Sequence, residues 1–190
     1  MARVIGLTGG IATGKSTVSD YLAQQYHWPI LDADIYSRAA VLPETAGLAA
    51  IVDRYGSEVL LADQTLNRPK LGEIIFTYAT ERQWLEALIH PYICQCFAQD
   101  LSEVTDTAVA VIPLLFEANL QKMASEVWVV TCSPQQQLDR LQTRNHLTLE
   151  QAQARIKSQM PLAAKVRLAD VVLDNSSTID YLTEQISSKA

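Results

Sequence analysis

Five short runs of mainly apolar residues divide the chain, and polar stretches of helical periodicity separate them. The run at 108–112 is apolar at every position, which is typical of a central strand with both faces buried. Alternation of such strands with helices predicts an α/β fold, in which a parallel sheet carries helices on both faces. The predicted strands cover 3–8, 28–31, 108–112, 127–131 and 170–175.

The stretches between these runs repeat apolar residues at helical spacing, as Val18, Tyr21 and Leu22 do. Ser133-Pro134 predicts a helix start, and Thr148-Leu149-Glu150-Gln151 has the pattern of a capping box. His90-Pro91 is also interpreted as a helix start. Helices are predicted at 15–25, after Asp32, and at 46–55, 70–78, 81–88, 91–103, 134–144, 148–158, 161–167 and 178–186.

The order of these elements predicts a single P-loop NTPase-type kinase domain over 1–190. Residues 1–41 and 107–190 form its nucleotide-binding core, and no strong strand pattern occurs between them. We therefore expect 42–106 to be a helical substrate-binding insertion. Within the core, the helix pair at 133–160 is interpreted as a small helical lid.

Composition narrows the function classes. A net charge of −6 and a pI near 5.0 argue against a general nucleic-acid binder. No apolar run approaches the roughly 18 residues of a membrane span, and no signal peptide is recognised. The cysteines, Cys94, Cys96 and Cys132, lack zinc or disulfide spacing. We expect a cytoplasmic protein without nucleic-acid or membrane partners, with a monomer as the favoured state.

The segment after the first strand fits G-x-x-x-x-G-K-[ST], the phosphate-binding P-loop. Gly9 and Gly14 permit the backbone angles by which successive N–H groups point at phosphate oxygens. Lys15 supplies charge for the β- and γ-phosphates, Ser16 is the expected Mg²⁺ ligand, and Thr17 is expected near the α-phosphate. The predicted phosphate-binding residues are Gly9, Gly10, Ile11, Ala12, Thr13, Gly14, Lys15, Ser16 and Thr17.

Two carboxylates, Asp32 and Asp34, follow the second strand, where open α/β sheets place their ligands. Asp34 is the candidate base for a substrate hydroxyl, and Asp32 is a candidate outer-shell group for Mg²⁺. The alternative is that both are helix-cap or turn residues. Arg38 follows Asp34 by one turn, so that it either holds a substrate phosphate or pairs with Asp34.

Further candidates are spread along the chain. Arg140 and Arg144 share one face of a lid helix, where they either close over the γ-phosphate or are simply solvated. Arg68 is an isolated basic group in the insertion, and His90 is more typical of a capping or packed histidine than of a catalyst. Glu117 follows the third strand, where many P-loop proteins have an Asp that supports Mg²⁺.

Taken in order, these motifs resemble the dephospho-CoA kinase family over nearly the whole chain. Ala12 and Thr13 depart from the family's usual Gly-Ser, and Ala12 is expected to require a backbone angle that tolerates a Cβ. The motifs are Ile5 to Val18, Asp32-Ala33-Asp34 with Arg38, Leu66-x-Arg68-x-x-Leu71 with Phe76, His90-Pro91, Pro113-Leu114-Leu115-Phe116-Glu117, Gln137-x-x-Arg140-x-x-x-Arg144, Gln159, Ala169-Asp170 and Asp174-Asn175.

The resemblance implies the last step of coenzyme A synthesis, in which ATP phosphorylates the ribose 3′-hydroxyl of dephospho-CoA. It implies that Asp34 is the general base and that positive charges neutralise the transferring phosphoryl group. ATP and dephospho-CoA are the expected partners, with Mg²⁺ as cofactor. The implied catalytic residues are Asp34, Lys15, Arg140 and Arg144, and the implied substrate-binding residues are Asp32, Arg38, Arg68, His90 and Glu117.

Three alternatives stay open at this point. Another small-molecule kinase, of the nucleoside monophosphate or shikimate type, is disfavoured by the Asp32-Ala33-Asp34 motif and the long insertion. A GTP-dependent switch predicts an N-K-x-D motif, which the sequence lacks. A non-catalytic nucleotide sensor would keep Lys15 and Ser16 but would not need Asp34.

Overall fold

The computed structural model describes residues 2–190, apart from the side chain of Phe76. A five-stranded sheet has the order β2-β3-β1-β4-β5, and every pairing is parallel. The predicted α/β class with a parallel sheet is therefore confirmed. The strands are β1 (Arg3–Gly9), β2 (Ile30–Asp32), β3 (Thr107–Val111), β4 (Glu126–Thr131) and β5 (Val171–Asp174).

Helices connect the strands, and most begin where local signals predict. Ser133 and Thr148 both form the reciprocal bonds of a capping box, which confirms the starts of α6 and α7. The helices are α1 (Lys15–Tyr26), α2 (Ala33–Ala39), α3 (Ala46–Tyr55), α4 (Arg68–Thr77), α5 (Ala79–Ser102), α6 (Pro134–Asn145), α7 (Leu149–Lys157), α8 (Leu162–Arg167) and α9 (Ile179–Ser187), with short 3₁₀ helices at Ser57–Val59 and Gln121–Met123.

The predicted helix break at His90-Pro91 is wrong, because α5 runs without interruption through Pro91. A proline inside a helix removes one hydrogen bond and costs about 3 kcal/mol. Burial on both sides of it opposes that cost: Leu88 packs against the local hydrophobic core, and Ile93 and Phe97 are buried. Packing of the whole segment therefore overrides the local preference of one residue.

The chain forms two compact units. The first contains the residues up to Asp32 and Glu103–Ala190, and its core includes Ile5 and Trp128 of the sheet. The second, Ala33–Ser102, contains helices, the loops between them and an antiparallel bridge, and Ile51 lies in its own hydrophobic core. Each unit thus has the buried apolar side chains that it needs for its own packing.

One charged cluster in the second unit gives a pH-dependent contribution to stability. Glu81 accepts hydrogen bonds from Arg54, at 2.7 and 2.9 Å, and from the Tyr55 hydroxyl at 2.6 Å. The Arg54 bonds first, and then the Tyr55 bond, lower the pKa of Glu81 to about 2. Its carboxylate therefore stabilises the folded chain above the ordinary carboxyl pKa of about 4.3, and that stabilisation is lost as the pH falls towards 2.

We expect Glu81→Gln to destabilise the chain near neutral pH, because the amide loses the charge that Arg54 binds. The difference from the parent chain should shrink as the pH falls from about 5 to about 2, because Glu81 takes up a proton first in the unfolded chain and then, near pH 2, in the folded chain, where it resembles glutamine. Urea unfolding at several pH values measures this. A difference that stays constant over that range would contradict the assignment.

Candidate active site

The P-loop connects β1 to α1, and two of its glycines are required by close approaches. Gly9 has a φ of +151°, and a Cβ there would lie 2.3 Å from the carbonyl oxygen of Val130. Gly14 has a φ of +102°, and a Cβ there would lie 2.1 Å from Nδ2 of Asn175. The loop can therefore fold in this way only with glycine at both positions.

The expectation for Ala12 is wrong, because its φ is +61°, in the left-handed region. That conformation costs a residue with a Cβ about 1–2 kcal/mol. Tertiary hydrogen bonds to the loop outweigh this cost: Gln137 donates to the carbonyl of Ile11 at 2.8 Å, and Asn175 donates to the carbonyl of Thr13 at 2.9 Å.

Ala12→Gly should therefore stabilise the chain by about 0.5–1 kcal/mol, since glycine enters the left-handed region freely but loses more entropy on folding. Urea unfolding measures the change. Ala154→Gly is the matched control: Ala154 lies exposed within α7, so the same substitution should destabilise there by about 1 kcal/mol. Equal destabilisation at both sites would contradict the argument.

Distant side chains also orient the peptide groups of the loop. Gln137 and Asn175, both buried, bind the carbonyls of Ile11 and Thr13 respectively. The C=O and N–H of a trans peptide point in opposite directions. Each of these two hydrogen bonds to a carbonyl therefore turns the N–H of the next residue away from the side chain that donates. The arrangement suits a concave set of N–H groups that receives an anion.

The positive groups of the loop lie beside these amides. Lys15 is half-buried, and its Nζ donates to the carbonyls of Gly10 at 2.8 Å and Gly9 at 3.3 Å. Lys15 also begins α1, so the positive end of a twelve-residue helix reinforces its charge. Ser16 is exposed in the first turn of that helix, and Thr17 follows it. A phosphate would offer Lys15 a stronger, charge-assisted partner than two neutral carbonyls.

The structure connects one of the two lid arginines to the P-loop. Arg140 is half-buried, and its Nη2 donates to the backbone carbonyl of Asn175 at 3.0 Å. The Asn175 side chain in turn binds Thr13 of the loop. Arg144 is exposed one turn further along α6, and its Nε donates to Asn145 Oδ1 at 3.0 Å. The catalytic roles of both arginines stay predictions.

Glu117 lies in the segment that follows β3, and protein groups already bind its carboxylate. Its Oε1 accepts from the backbone N–H of Met160 and pairs with Nζ of Lys165, both at 2.9 Å. Lys165 is completely buried in α8 and also donates to the carbonyl of Pro113 at 2.9 Å. The substrate-binding role expected of Glu117 stays a prediction.

Sequence reasoning missed several residues of this site. It assigned Lys165 no role, because nothing in the spacing of α8 shows that a lysine is buried there. Gln137, Gln159 and Asn175 entered only through the family resemblance, without a role. Gln159 Oε1 in fact accepts from the backbone N–H of Ile11 at 2.9 Å. The only sequence signal for these amides is their position in the family motifs.

The two aspartates lie at the end of β2 and the start of α2. Asp32 is the last residue of β2, opposite Val111 in the parallel register, and belongs to the first unit. Asp34 lies exposed in the first turn of α2, where its backbone carbonyl accepts from Ser37 Oγ at 2.9 Å. Both residues belong to regular secondary structure, whose backbone holds them in fixed positions, as a site residue requires.

The second unit brings two of the predicted substrate-binding arginines together. Arg68 Nη2 donates to the backbone carbonyl of Arg38 at 3.4 Å. Partial burial, and then the positive charge of Arg38, lower the pKa of Arg68. The two arginines thus bring positive charge to one region of the unit, which favours binding of an anion. His90 is half-buried on α5, with Sγ of Cys94 3.9 Å from its Nδ1.

The phosphate loop is bounded by glycines and connects the first strand of a parallel sheet to the first helix, which starts with lysine and serine. These features define a P-loop nucleotide-dependent protein. The model of the dephospho-CoA kinase family matches residues 3–181. The chain belongs to the dephospho-CoA kinase family.

Relatives and solved structures agree with this assignment. The dephospho-CoA kinase of Trichormus variabilis is 58% identical over 185 residues, which cover 97% of this chain and 94% of that protein. A solved dephospho-CoA kinase from Campylobacter jejuni superposes with a TM-score of 0.72 at 26% identity, covering 100% of this chain and 96% of its own. A solved structure from Thermus thermophilus reaches 0.84 at 27% identity, covering 99% and 96%.

The comparisons confirm the predicted family, fold class and function, an ATP-dependent kinase of dephospho-CoA. The dephospho-CoA kinase family uses ATP and dephospho-CoA as substrates. Among residues 2–190, no helix is long and apolar enough to span a membrane.

Proposed function

We propose that this chain transfers the γ-phosphoryl group of ATP to the ribose 3′-hydroxyl of dephospho-CoA and releases CoA and ADP. The observation that carries the proposal is the P-loop with Lys15 at its end, in a chain that matches the family from residue 3 to residue 181. Backbone amides, a helix N-terminus and a lysine meet in one loop, as the phosphates of ATP require.

On the donor side, Lys15 exchanges its bonds to the carbonyls of Gly9 and Gly10 for the β- and γ-phosphate oxygens. The amides of the loop bind the same phosphates. Arg140 and Arg144 neutralise charge on the transferring group, and Arg140 is the better supported of the two, since its guanidinium contacts Asn175 beside the loop. Such positioned charges supply most of the catalysis in phosphoryl transfer.

The donor set fits Mg²⁺ as the cofactor. Ser16 offers an exposed hydroxyl at the start of α1 as a direct ligand, and Asp32 offers a carboxylate at the end of β2, in the same unit, as the outer-shell group. Mg²⁺ typically binds one or two protein groups together with substrate phosphates and water, so this small set suffices. Bound there with ATP, the ion would supply charge stabilisation for the phosphates.

On the acceptor side, Asp34 is the proposed general base. The 3′-hydroxyl gives its proton to the Asp34 carboxylate, its oxygen forms a bond to the γ-phosphorus, and the bond from that phosphorus to ADP breaks. Arg38 and Arg68 bind the anionic part of dephospho-CoA, which their contact in the second unit supports. His90 is proposed to help orient the same substrate.

The test is to incubate the purified chain with Mg²⁺-ATP and, separately, dephospho-CoA, AMP, adenosine or shikimate. We expect ADP release only with dephospho-CoA and a 3′-phosphorylated product by mass spectrometry. Release with another acceptor would overturn the substrate, and tight ATP binding without release would favour a nucleotide sensor. The monomeric state and the cytoplasmic location stay predictions, and sedimentation of the chain tests the first.

A further inference from the structure

Lys165 is a completely buried lysine that the proposed chemistry does not use. Burying an ammonium group costs free energy unless polar or charged partners surround it. An apolar side chain at such a position often makes a protein at least as stable as the buried ion pair does. Here Nζ has two partners at 2.9 Å, the carbonyl of Pro113 and the carboxylate of Glu117. The side chain thereby fixes the segment that follows β3.

Glu117 extends this connection to the segment between α7 and α8. The same oxygen that pairs with Lys165 also accepts from the backbone N–H of Met160 at 2.9 Å. The preceding residue, Gln159, reaches the P-loop, where its Oε1 accepts from the N–H of Ile11 at 2.9 Å. This series of hydrogen bonds, joined by the covalent link between Gln159 and Met160, therefore connects the buried lysine to the phosphate loop.

Side chains bind both backbone polar groups of Ile11, its N–H and its carbonyl. Gln159 accepts from its N–H, and the buried Gln137 donates to its carbonyl at 2.8 Å. The two glutamines come from different elements, so each restricts a different peptide plane. If either were lost, this side of the loop could rotate and its amides would no longer keep one direction. Binding of phosphate would then have to include the cost of reordering the loop.

We propose that Glu117, held by Lys165, is a positioning residue for ATP: it keeps Gln159 on the Ile11 amide and so holds the P-loop in its phosphate-binding form. The inference rests on the proposed function only in that the P-loop binds ATP. It assigns Glu117 to the donor side of the reaction, acting through Gln159, instead of to direct binding of dephospho-CoA.

The experiment measures ATP binding by titration calorimetry in the absence of any acceptor. We expect Gln159→Ala and Glu117→Ala each to weaken ATP binding about tenfold, as the loss of one hydrogen bond in the series implies. The double variant should be no weaker than the weaker single variant, because both substitutions break the same series. Glu184→Ala, an exposed site on α9, is the matched control.

Two further readouts separate positioning from general loss of structure. Glu117→Gln keeps an oxygen that accepts from Met160, so its ATP affinity should stay within about twofold of the parent. Hydrogen exchange of the Ile11 amide, followed by NMR, should be faster in Gln159→Ala, with unfolding unchanged. Since Gln159 lies in a partly exposed connection, this variant carries the test even if Glu117→Ala fails to fold.

Additive losses in the double variant, unchanged ATP affinity in Gln159→Ala, or tighter binding in it would overturn the proposal. So would a raised KM for dephospho-CoA with unaltered ATP affinity in Glu117→Ala, which would return Glu117 to the acceptor side. If calorimetry follows the expectation but dephospho-CoA is not phosphorylated, the positioning role stands and the proposed acceptor fails.

Discussion

Replacing Lys15 with alanine should lower kcat/KM by about 10³-fold, while the melting temperature changes by less than about 2 °C. The large effect on rate is expected because, in the proposed mechanism, the ammonium group faces charge that grows on the phosphoryl group during transfer. The small effect on stability is expected because Lys15 is only half-buried and binds two loop carbonyls, at 2.8 and 3.3 Å, that water could bind instead.

The measurement is steady-state kinetics beside thermal unfolding of the same samples. Lys122→Ala is the matched control, because Lys122 lies exposed in the 3₁₀ helix Gln121–Met123. It should leave both quantities unchanged. A fall in melting temperature of more than about 5 °C in Lys15→Ala would mean that the lysine mainly stabilises the loop.

Asp34→Asn should lower kcat by at least about 10²-fold and leave ATP binding unchanged. Asparagine has the shape of aspartate but cannot take up the proton of the 3′-hydroxyl. Because Asp34 is exposed in the first turn of α2, the substitution should change stability little. Single-turnover kinetics with saturating dephospho-CoA measure the chemical step directly.

The control for this variant is Asp53→Asn, at an exposed position of α3. It removes the same charge from the same unit, so a general electrostatic effect would appear in both variants. Turnover near that of the parent chain in Asp34→Asn would remove Asp34 from the role of base and leave it a helix-start residue.

Local sequence patterns were enough to predict most of the elements and the phosphate loop. The capping boxes at Ser133 and Thr148 join residues three positions apart, so the sequence contains both partners. The G-x-x-x-x-G-K-[ST] pattern likewise describes eight consecutive residues, whose own backbone is expected to bind the phosphates. Where the interacting groups are neighbours in the chain, spacing alone predicts the structure.

The errors share one cause, which is that distant packing outweighed a local preference. Pro91 lies inside α5 because residues such as Ile93 and Phe97 are buried beyond it. Ala12 is left-handed where its side chain disfavours that conformation, because Gln137 and Asn175 hold the peptides beside it. Neither the packing beyond Pro91 nor the hydrogen bonds beside Ala12 can be recognised from the few residues that surround each position in the sequence.

The sequence by itself thus established the family and the order of the elements and predicted the residues that bind phosphate, since these depend on residue type and short spacing. Only the tertiary structure decided how the loop is held. Gln137 binds Ile11 across 126 residues of sequence, and Asn175 binds Thr13 across 162. Such bonds form only when the sheet has brought distant segments together, so no local pattern indicates them. The burial of Lys165 likewise depends on segments that are distant in the sequence.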